Sequence, residues 1–228
     1  MASHRQKRRV KTVTLSYSVC ELFDPSDWLP FMMKRHYARR KVGAKRAFGL
    51  FDNGVLVGCV LFSQPASYTL CTSVCGPEFK PHVIELSRLS VPRRSPNAAS
   101  YLVGRALRLL GDAVVVSYAD AGVGHIGSVY QATNWLYTGR SAVTYHYYDP
   151  RTEKLIARTR RHIDAKAERI GLTEGLLTKI PQPAKHRYVI FTGNRRFTKR
   201  AQAALRYSVG DYPKGKSKRH RLRPLVAS

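Results

Sequence analysis

The stretch that decides the fold lies between residues 83 and 139 and contains three consecutive runs. They are Val83-Ile-Glu-Leu-Ser-Arg-Leu-Ser-Val91, Val114-Val-Val-Ser-Tyr-Ala-Asp-Ala-Gly-Val-Gly-His-Ile-Gly127 and Val129-Tyr-Gln-Ala-Thr-Asn-Trp-Leu-Tyr-Thr-Gly139. The first two begin as apolar strands, end in polar residues and lead into a helical pattern. Because the carboxyl ends of parallel strands form the ligand site of an open α/β sheet, these polar residues are predicted to belong to the functional site.

Further elements are predicted on both sides of this stretch. Strands are expected at residues 10–19, 47–51, 55–62, 83–91, 113–118, 142–148 and 187–191, and helices at residues 24–40, 98–110, 127–137 and 153–170. Asn53-Gly54 predicts a tight hairpin, and residues 64–81 are expected to form a loop. This order of elements resembles that of the GNAT acyltransferase fold, an α/β architecture with a mixed central sheet flanked by helices.

The chain is strongly basic, with 40 Lys and Arg against 14 Asp and Glu in 228 residues and a formal net charge of +26. Nucleic acid is the favoured partner because neutralising its phosphates releases counterions. An anionic membrane is the weaker alternative, since no basic amphipathic helix with a broad apolar face stands out. No apolar run reaches the roughly 20 residues of a membrane span. We therefore expect a soluble, DNA-associated protein in the cytoplasm of a bacterial host.

Three segments are expected along the chain. Residues 1–11 are predicted to form a basic arm, and residues 12–194 a single catalytic domain with a helical extension at residues 151–172. Residues 195–228 have eleven Lys and Arg against one acid, Asp211, and are predicted to form a solvated basic tail. Among the cysteines, Cys71 and Cys75 suggest either a metal site with His82 or, as the preferred interpretation, free thiols in a reducing compartment.

Several short motifs between residues 30 and 150 together resemble the phage Mom family. The motifs are Glu85-Leu-Ser-Arg88, Ser117-Tyr-Ala-Asp120, His125-Ile-Gly127, Tyr130-Gln-Ala-Thr-Asn134, Tyr137-Thr-Gly139 and Arg35-His36-Tyr37. The resemblance implies a GNAT-related enzyme that converts adenine in double-stranded DNA to N6-carbamoylmethyladenine. Such a modification shields phage DNA from restriction.

The polar residues of the two strands are the first candidates for catalysis. Arg88 is either a site guanidinium or a structural partner of Glu85. Asp120 is either the base for the adenine amino group, or a metal ligand, or else a turn aspartate before Gly122. Ser117 and Tyr118 point to opposite faces, and Tyr118 is expected on the side of Asp120. Tyr118 either stacks on an extruded base or belongs to the core.

Histidines supply a second group of candidates. His36 and Tyr37 lie in a basic run and are either part of a DNA-facing surface or an acid–base group and a stacking platform. His125, between two glycines, is either a site residue or a turn histidine. Iron held by His36, Asp120 or His125 is considered because mixed nitrogen and oxygen ligands suit that metal.

An acyl-CoA such as acetyl-CoA is the cofactor that the GNAT resemblance implies. Its phosphates are expected at the start of the helix at residues 98–110, where a glycine-free turn offers Arg93, Arg94, Ser95 and Asn97. The alternative is that the arginines are solvated or contact DNA. Tyr130, Gln131 and Asn134 recur at helical spacing and are expected to line one side of the cleft.

Carbamoylmethyl transfer differs from acetyl transfer, because the new bond goes to a methylene carbon and the terminal amide needs a nitrogen source. A small-molecule group donor is therefore expected in addition to DNA with its adenine flipped out. Two other functions remain open. One is a conventional acetyltransferase acting on nucleic acid or protein, and the other is a non-enzymatic basic DNA-binding protein.

Overall fold

The computed structural model describes residues 17–36, 41, 43–91, 97–157 and 165–215. The strands are β1 (Tyr17–Glu21), β2 (Arg46–Asp52), β3 (Val55–Ser63), β4 (Val83–Ser90), β5 (Ala113–Ala119), β6 (Leu136–Arg140), β7 (Thr144–Asp149), β8 (Lys154–Ala157), β9 (Thr178–Gln182) and β10 (His186–Thr192). The α-helices are α1 (Pro25–Arg35), α2 (Tyr68–Ser73), α3 (Ala98–Leu109), α4 (Ser128–Ala132), α5 (Ala165–Thr173) and α6 (Arg195–Ala203).

Seven strands form one mixed sheet in the order β1-β2-β3-β4-β5-β10-β6. Neighbouring strands are antiparallel except β4 and β5, which run parallel. Helix α3 connects these two parallel strands, as the crossover of a parallel pair requires. The predicted α/β architecture, a mixed central sheet flanked by helices, is confirmed.

Helices cover both faces of this sheet. On the first, which we call the α3 face, the buried side chains of α3 pack with α4 and with apolar residues of β2, β3, β4 and β5. On the second, the α6 face, α2 and α6 pack on β4, β5 and β10, and α1 packs on β2 and β3. The strands are apolar on both sides because both faces are covered.

In the first part of the chain the predicted hairpin is confirmed, and the predicted helix starts as expected but ends early. Asp24 caps α1, its carboxylate accepting a hydrogen bond of 2.8 Å from the Ser26 amide. The hairpin between β2 and β3 turns at Asn53 and Gly54, with φ angles of +49° and +79°. The helix expected up to residue 40 ends at Arg35, where His36 has extended backbone. The expected first strand is seen from Tyr17 onward, and residues 10–16 lie outside the described part.

Two predictions for the middle of the chain are wrong. Residues 64–81 contain α2 and a short 3₁₀ helix, Pro77–His82, which bury Leu70 and Phe79 against the α6 face. Residues 127–137 do not form one helix, because α4 ends at Ala132 and β6 begins at Leu136. Leu136 and Tyr137 pair with β10 and are therefore part of a strand instead of the expected helix.

An insertion between β6 and β10 replaces the long helix expected at residues 153–170. Glu153, with φ of +52°, lies in the turn that connects β7 to β8. Strand β7 also pairs with β9, so the three strands form a separate sheet. Among the residues of the insertion that the structure describes, α5 is the only helix, and Tyr147 donates a hydrogen bond to Glu168 of this helix. The insertion leaves the main sheet beside the carboxyl end of β5, where the Ser141 amide donates to the Lys185 carbonyl at 2.8 Å.

The segment after residue 195 is not a solvated tail as far as it is described. The amide of Phe197 donates to the Asn194 side chain at 2.9 Å, which starts α6, and Phe197 and Ala201 are buried on one side of this helix. Their four-residue spacing places both on the α6 face. The following residues pass around the edge of β6, where Gly210 pairs with Tyr137 and the Tyr212 hydroxyl donates to the Trp135 carbonyl at 2.7 Å.

No cysteine forms a disulfide, and all four are free thiols. Burial raises the pKa of Cys59 to about 12 and that of Cys75 to about 11. Within the described part of the chain, no helix is both long and apolar enough to cross a membrane.

Candidate active site where the parallel strands part

The two parallel strands separate after a short contact. Their pairing covers Val83–Glu85 and Val114–Val116, after which β4 continues with β3 and β5 continues with β10. The register between β3 and β4 shifts beside Ser87, whose neighbours Leu86 and Arg88 pair with consecutive residues of β3. Such a bulge re-aims side chains at a strand end. The carboxyl halves of β4 and β5 therefore border an opening in the sheet.

On the α3 face, a neutral hydrogen-bond network lines this opening. The buried Ser117 hydroxyl donates to the Leu86 carbonyl at 2.8 Å and shares a hydrogen bond of 2.7 Å with the Tyr130 hydroxyl. Ser117 thus bridges the strands beyond their last backbone pair. Two candidates from the sequence, Ser117 and Tyr130, are in direct contact.

Aromatic rings extend this network. The Tyr130 ring lies 5.1 Å from that of Tyr188 and 5.0 Å from that of Trp135. The Tyr188 hydroxyl donates to the Ile126 carbonyl at 2.5 Å and accepts from Gln131 at 3.2 Å. Burial raises the pKa of Tyr188. We call Ser117, Tyr130, Gln131 and Tyr188 the neutral network.

On the α6 face, five charged side chains and one tyrosine lie beside the same opening. We call them the charged cluster: Glu85, Arg88, Tyr118, Asp120, Lys185 and Arg187. Glu85 is its centre, since burial raises the pKa of this carboxyl while the nearby charges of Arg88 and Lys185 lower it. A hydrogen bond from the Ala66 amide also stabilises the carboxylate. Desolvation is the largest effect, so Glu85 holds a proton more readily than an exposed glutamate.

Tyr118 and Arg187 face one another across β5 and β10 in the register of the sheet. Burial raises the pKa of Tyr118 to about 12, and the charge of Glu85 adds to this shift. Arg187 opposes it. The phenol is therefore protonated at neutral pH and available as a hydrogen-bond donor.

Asp120 follows β5 and caps a turn before Gly122, which is the structural role that the sequence left open for it. Its Oδ1 accepts a hydrogen bond of 2.9 Å from the Gly122 amide, which begins a 3₁₀ turn. Its Oδ2 lies 3.9 Å from Nζ of Lys185, and its side chain is 26% exposed. Asp120 is thus a turn cap at the rim of the cluster, with one oxygen facing a lysine.

The structure places Arg88 beside Glu85, the partner named in its structural interpretation, and the site interpretation stays a prediction. The residue is half-buried, donates to the Ser87 carbonyl at 2.7 Å and lies close enough to Glu85 to stabilise its charge. As expected, Ser117 and Tyr118 point to opposite faces, and Tyr118 shares the α6 face with Glu85. Three expected strand-end residues, Arg88, Tyr118 and Asp120, therefore belong to one cluster.

Other candidates are placed differently. His36 is buried at the end of α1, with its amide donating to the Met32 carbonyl at 2.9 Å, and Tyr37 lies outside the described residues. Asn134 is exposed with φ of +59° after the end of α4, so it does not line the opening with Tyr130. The helical spacing of these two residues is interrupted at Ala132.

The expected cofactor turn is described only at its end. Arg93, Arg94 and Ser95 lie outside the described residues. Asn97 precedes α3 with φ of +62° and makes no side-chain hydrogen bond to the first helical turn. The first backbone amides of α3 are therefore not capped by Asn97, and they suit an anion.

Metal ligands are not gathered in the described ranges. No group of three or more His, Cys, Asp and Glu residues has the arrangement of a metal site there, so His36, Asp120 and His125 do not form the iron site that was considered. The amide of His125 donates to the Asp120 carbonyl at 3.0 Å, which places this histidine in the turn after β5.

Glu85, Lys185 and Arg187 are the cluster members that the sequence analysis did not assign to the site. Glu85 had a usable signal, since a carboxylate between Ile84 and Leu86 in an apolar strand needs a partner. Lys185 and Arg187 gave none, because their proximity to Glu85 comes from the pairing of β10 with β5.

A family model described as the Mom protein family matches residues 24–214. The chain belongs to the Mom family. Its match includes every member of the neutral network and of the charged cluster. No curated protein matches this Mom-family chain.

Several solved structures that resemble this Mom-family chain are acetyltransferases. A probable acetyltransferase from Staphylococcus epidermidis has a TM-score of 0.45 at 10% identity, over 77% of this chain and 99% of that one. The ribosomal-protein-S18-alanine N-acetyltransferase from Escherichia coli has a TM-score of 0.43 at 11% identity, over 78% and 95% of the two chains. A putative acetyltransferase from Salmonella typhimurium, solved with acetyl-CoA, has a TM-score of 0.39 at 10% identity, over 77% and 94%.

Proposed function

We propose that this protein is a DNA-modifying transferase that converts adenine in double-stranded DNA to N6-carbamoylmethyladenine and so protects phage DNA from restriction. The observation that carries the proposal is the gathering of Glu85, Arg88 and Tyr118 beside two parting parallel strands in a Mom-family chain. Transfer to an amino group needs a proton acceptor, a hydrogen-bond donor and a fixed charge close together. These three residues supply them.

The proposed acceptor is DNA. The charge of +26 favours a polyanion, and several carboxylates are already engaged, as in the ion pairs of Glu21 with Arg46 and Glu78 with Arg200. Helix α6 exposes Arg195, Arg196 and Lys199, and none of them has a carboxylate within ion-pair distance among the described residues. Unpaired cations on a fixed helix suit phosphate contacts. These contacts offset the few kcal/mol needed to extrude a base.

Glu85 is the proposed proton acceptor. As N6 of adenine forms its new bond to the methylene carbon, an amino proton must leave, and a carboxylate with a raised pKa takes it more readily than an ordinary one. Protonated Tyr118 donates a hydrogen bond to the transferred group or to the extruded adenine. Asp120, the base suggested by the sequence, is a second candidate at the rim of the cluster.

The proposed donor side includes an acyl-CoA such as acetyl-CoA. The uncapped first turn of α3, with Asn97, Arg93, Arg94 and Ser95, would hold its phosphates, and Ser117 and Tyr130 border the opening between the strands. When bound, acetyl-CoA would supply the two carbons. Free CoA leaves when an amine nitrogen attacks the thioester carbonyl, and a two-electron oxidant of the hydride-acceptor class must take a hydride from the methyl carbon as N6 bonds to it. The nitrogen of the terminal amide comes from a further small molecule in this proposal.

Mass spectrometry of deoxynucleosides from bacteria that express the protein tests this function. We expect deoxyadenosine carrying a carbamoylmethyl group, and its loss in cells that express Glu85→Gln at the same soluble level. Unmodified DNA in cells with abundant folded protein would overturn the proposal. A product of acetyl mass would select the conventional acetyltransferase instead.

A further inference from the structure

Two hydrogen bonds and one aromatic ring hold the half-buried guanidinium of Arg187 in place. Its Nε donates to Oγ1 of Thr138 at 3.0 Å, and its Nη2 donates to the Thr138 carbonyl at 2.8 Å. The guanidinium lies over the Tyr207 ring, 3.5 Å from the ring centre. A 2.8 Å hydrogen bond to Ser73 fixes the Tyr207 hydroxyl in turn. The position of this positive charge is therefore set before any ligand binds.

None of these partners carries a negative charge. Among the residues that the structure describes, no carboxylate lies within ion-pair distance of Arg187. A half-buried guanidinium that lacks a counter-ion costs free energy. In addition, the two hydrogen bonds use Nε and Nη2, so in the described part of the molecule Nη1 has no acceptor. The arrangement is typical of a site whose anion arrives with a ligand.

The position of Arg187 indicates which ligand that is. It faces Tyr118 in the register of β10 and β5, on the α6 face where Glu85 lies. Helix α3, whose first turn suits the cofactor phosphates, packs on the opposite face. A phosphate reaching Arg187 therefore approaches from the side of the proposed acceptor.

We propose that Arg187 binds a backbone phosphate of DNA next to the extruded adenine. This inference rests on the proposed function and adds to it a contact that fixes the register of the flipped nucleotide. A phosphodiester supplies the missing counter-ion, and the guanidinium geometry matches phosphate oxygens. Tyr207 and Thr138 are positioning residues in this arrangement, since they hold the guanidinium and do not reach the ligand.

A double-mutant cycle with a modified duplex tests the contact. One strand of the probe has a single adenine among guanines and cytosines, and the phosphate on either side of it is replaced in turn by neutral methylphosphonate. For the wild type, one of the two replacements should weaken binding about tenfold or more, the size expected for a charge-assisted hydrogen bond. For Arg187→Gln, binding to the unmodified duplex should be weakened by a similar factor, and the same replacement should have no further effect.

Two variants guard against a trivial loss of folding. Arg187→Lys keeps the charge without the stacked fork and should show a reduced response to the replacement. Arg105→Gln is the matched control, because Arg105 also lies over a tyrosine, Tyr101, but on α3. It should respond to methylphosphonate as the wild type does. Equal responses of the wild type and Arg187→Gln at both phosphates would overturn the proposal.

The cofactor is the other source of phosphate, and acetyl-CoA binding distinguishes it. Calorimetric titration should give the same acetyl-CoA affinity for the wild type and Arg187→Gln. A selective loss of acetyl-CoA affinity in the variant, with DNA binding unchanged, would assign Arg187 to the cofactor and overturn the DNA contact. Because the cycle measures binding alone, it also separates this contact from the chemistry. A normal cycle with unmodified DNA would retain the contact and remove the proposed reaction.

Discussion

The two faces of the sheet differ at the point where β4 and β5 part. On the α3 face, Ser117 and Tyr130 satisfy one another and the Leu86 carbonyl within a packed aromatic group. On the α6 face, Glu85 and Tyr118 have pKa values raised by burial, and Asp120 and Lys185 are 3.9 Å apart. Both faces have polar residues at strand ends, and burial raises the pKa of Tyr188 on the α3 face too, but the carboxylates and cations at these strand ends lie on the α6 face.

This difference separates structure from chemistry. A satisfied neutral network stabilises the opening in the sheet and has little left to offer a substrate. Catalysis needs ionisable groups whose burial is not fully offset by partners, because their pKa values are then shifted, and such groups lower stability. We therefore assign the reacting side to the charged cluster, and the following predictions test that assignment.

Replacing Glu85 should have the largest effect. Glu85→Gln should slow DNA modification at least ~100-fold, the lower end of a general-base contribution, with DNA affinity unchanged. Because the pKa of Glu85 is higher in the folded than in the unfolded protein, its ionisation opposes folding as the pH rises through that pKa. The stability of the variant relative to the wild type should thus rise as the pH increases from the ordinary glutamate pKa through the raised one, and stay constant above it. Glu78→Gln, at an exposed ion pair, is the control, and a normal rate in Glu85→Gln would refute the assignment.

Replacing Ser117 should instead damage the fold. Ser117→Ala leaves the Leu86 carbonyl and the Tyr130 hydroxyl without this partner, which should lower the free energy of unfolding by about 1–3 kcal/mol. Denaturant unfolding measures the loss. Ser67→Ala, at an exposed serine, should change stability by no more than about 0.5 kcal/mol. A stable Ser117→Ala protein without activity would move the chemistry to the α3 face.

The helices on the two faces should also differ in DNA binding. Replacing Arg195, Arg196 and Lys199 of α6 by Gln removes three proposed phosphate contacts. The slope of log affinity against log salt should therefore decrease in magnitude by about 2.7, at roughly 0.9 per contact. Replacing Arg105 and Arg108 of α3 should leave the slope unchanged. Equal decreases for both helices would mean that DNA binding does not distinguish the faces.

Replacing Asp120 should have the smallest effect. Asp120→Asn keeps an oxygen for the Gly122 amide and loses only the charge facing Lys185, a partly exposed contact worth about 0–1 kcal/mol. Modification should stay within about tenfold of the wild type, because Glu85 is the proposed base. Loss of modification with unchanged melting temperature would restore Asp120 as the base.

Local sequence signals were sufficient for much of the fold. The hairpin at Asn53 and Gly54, and the limits of β4, α3 and β5, depend on turn residues and on apolar periodicity within each element. Residues 127–137 show the limit of such signals. Their helical spacing is real, but residues 136–140 gain more from pairing with β10, which lies far along the chain.

Part of the geometry around the candidate site was predictable in the same way, while its function stays a prediction. Polar residues at strand ends located the opening, and side-chain alternation separated Ser117 from Tyr118 correctly. The charged cluster as a whole was not predictable, because Lys185 and Arg187 reach it only through the pairing of β10 with β5. The apolar pair Phe197 and Ala201 was a missed signal, since its spacing predicts a packed helix where a tail was expected.

The place of β10 in the sheet has a consequence for protein synthesis. Among the described strands, β10 is the last in chain order and so the last to leave the ribosome, yet it lies between β5 and β6. Until residues 186–192 emerge, one edge of β5 has no pairing partner in the nascent chain. Such an edge favours aggregation, and the sheet cannot be completed before these residues are synthesised. Arg187 and Tyr207 also arrive only at this stage. A chain whose translation stops before residue 186 therefore lacks the strand that joins β5 to β6.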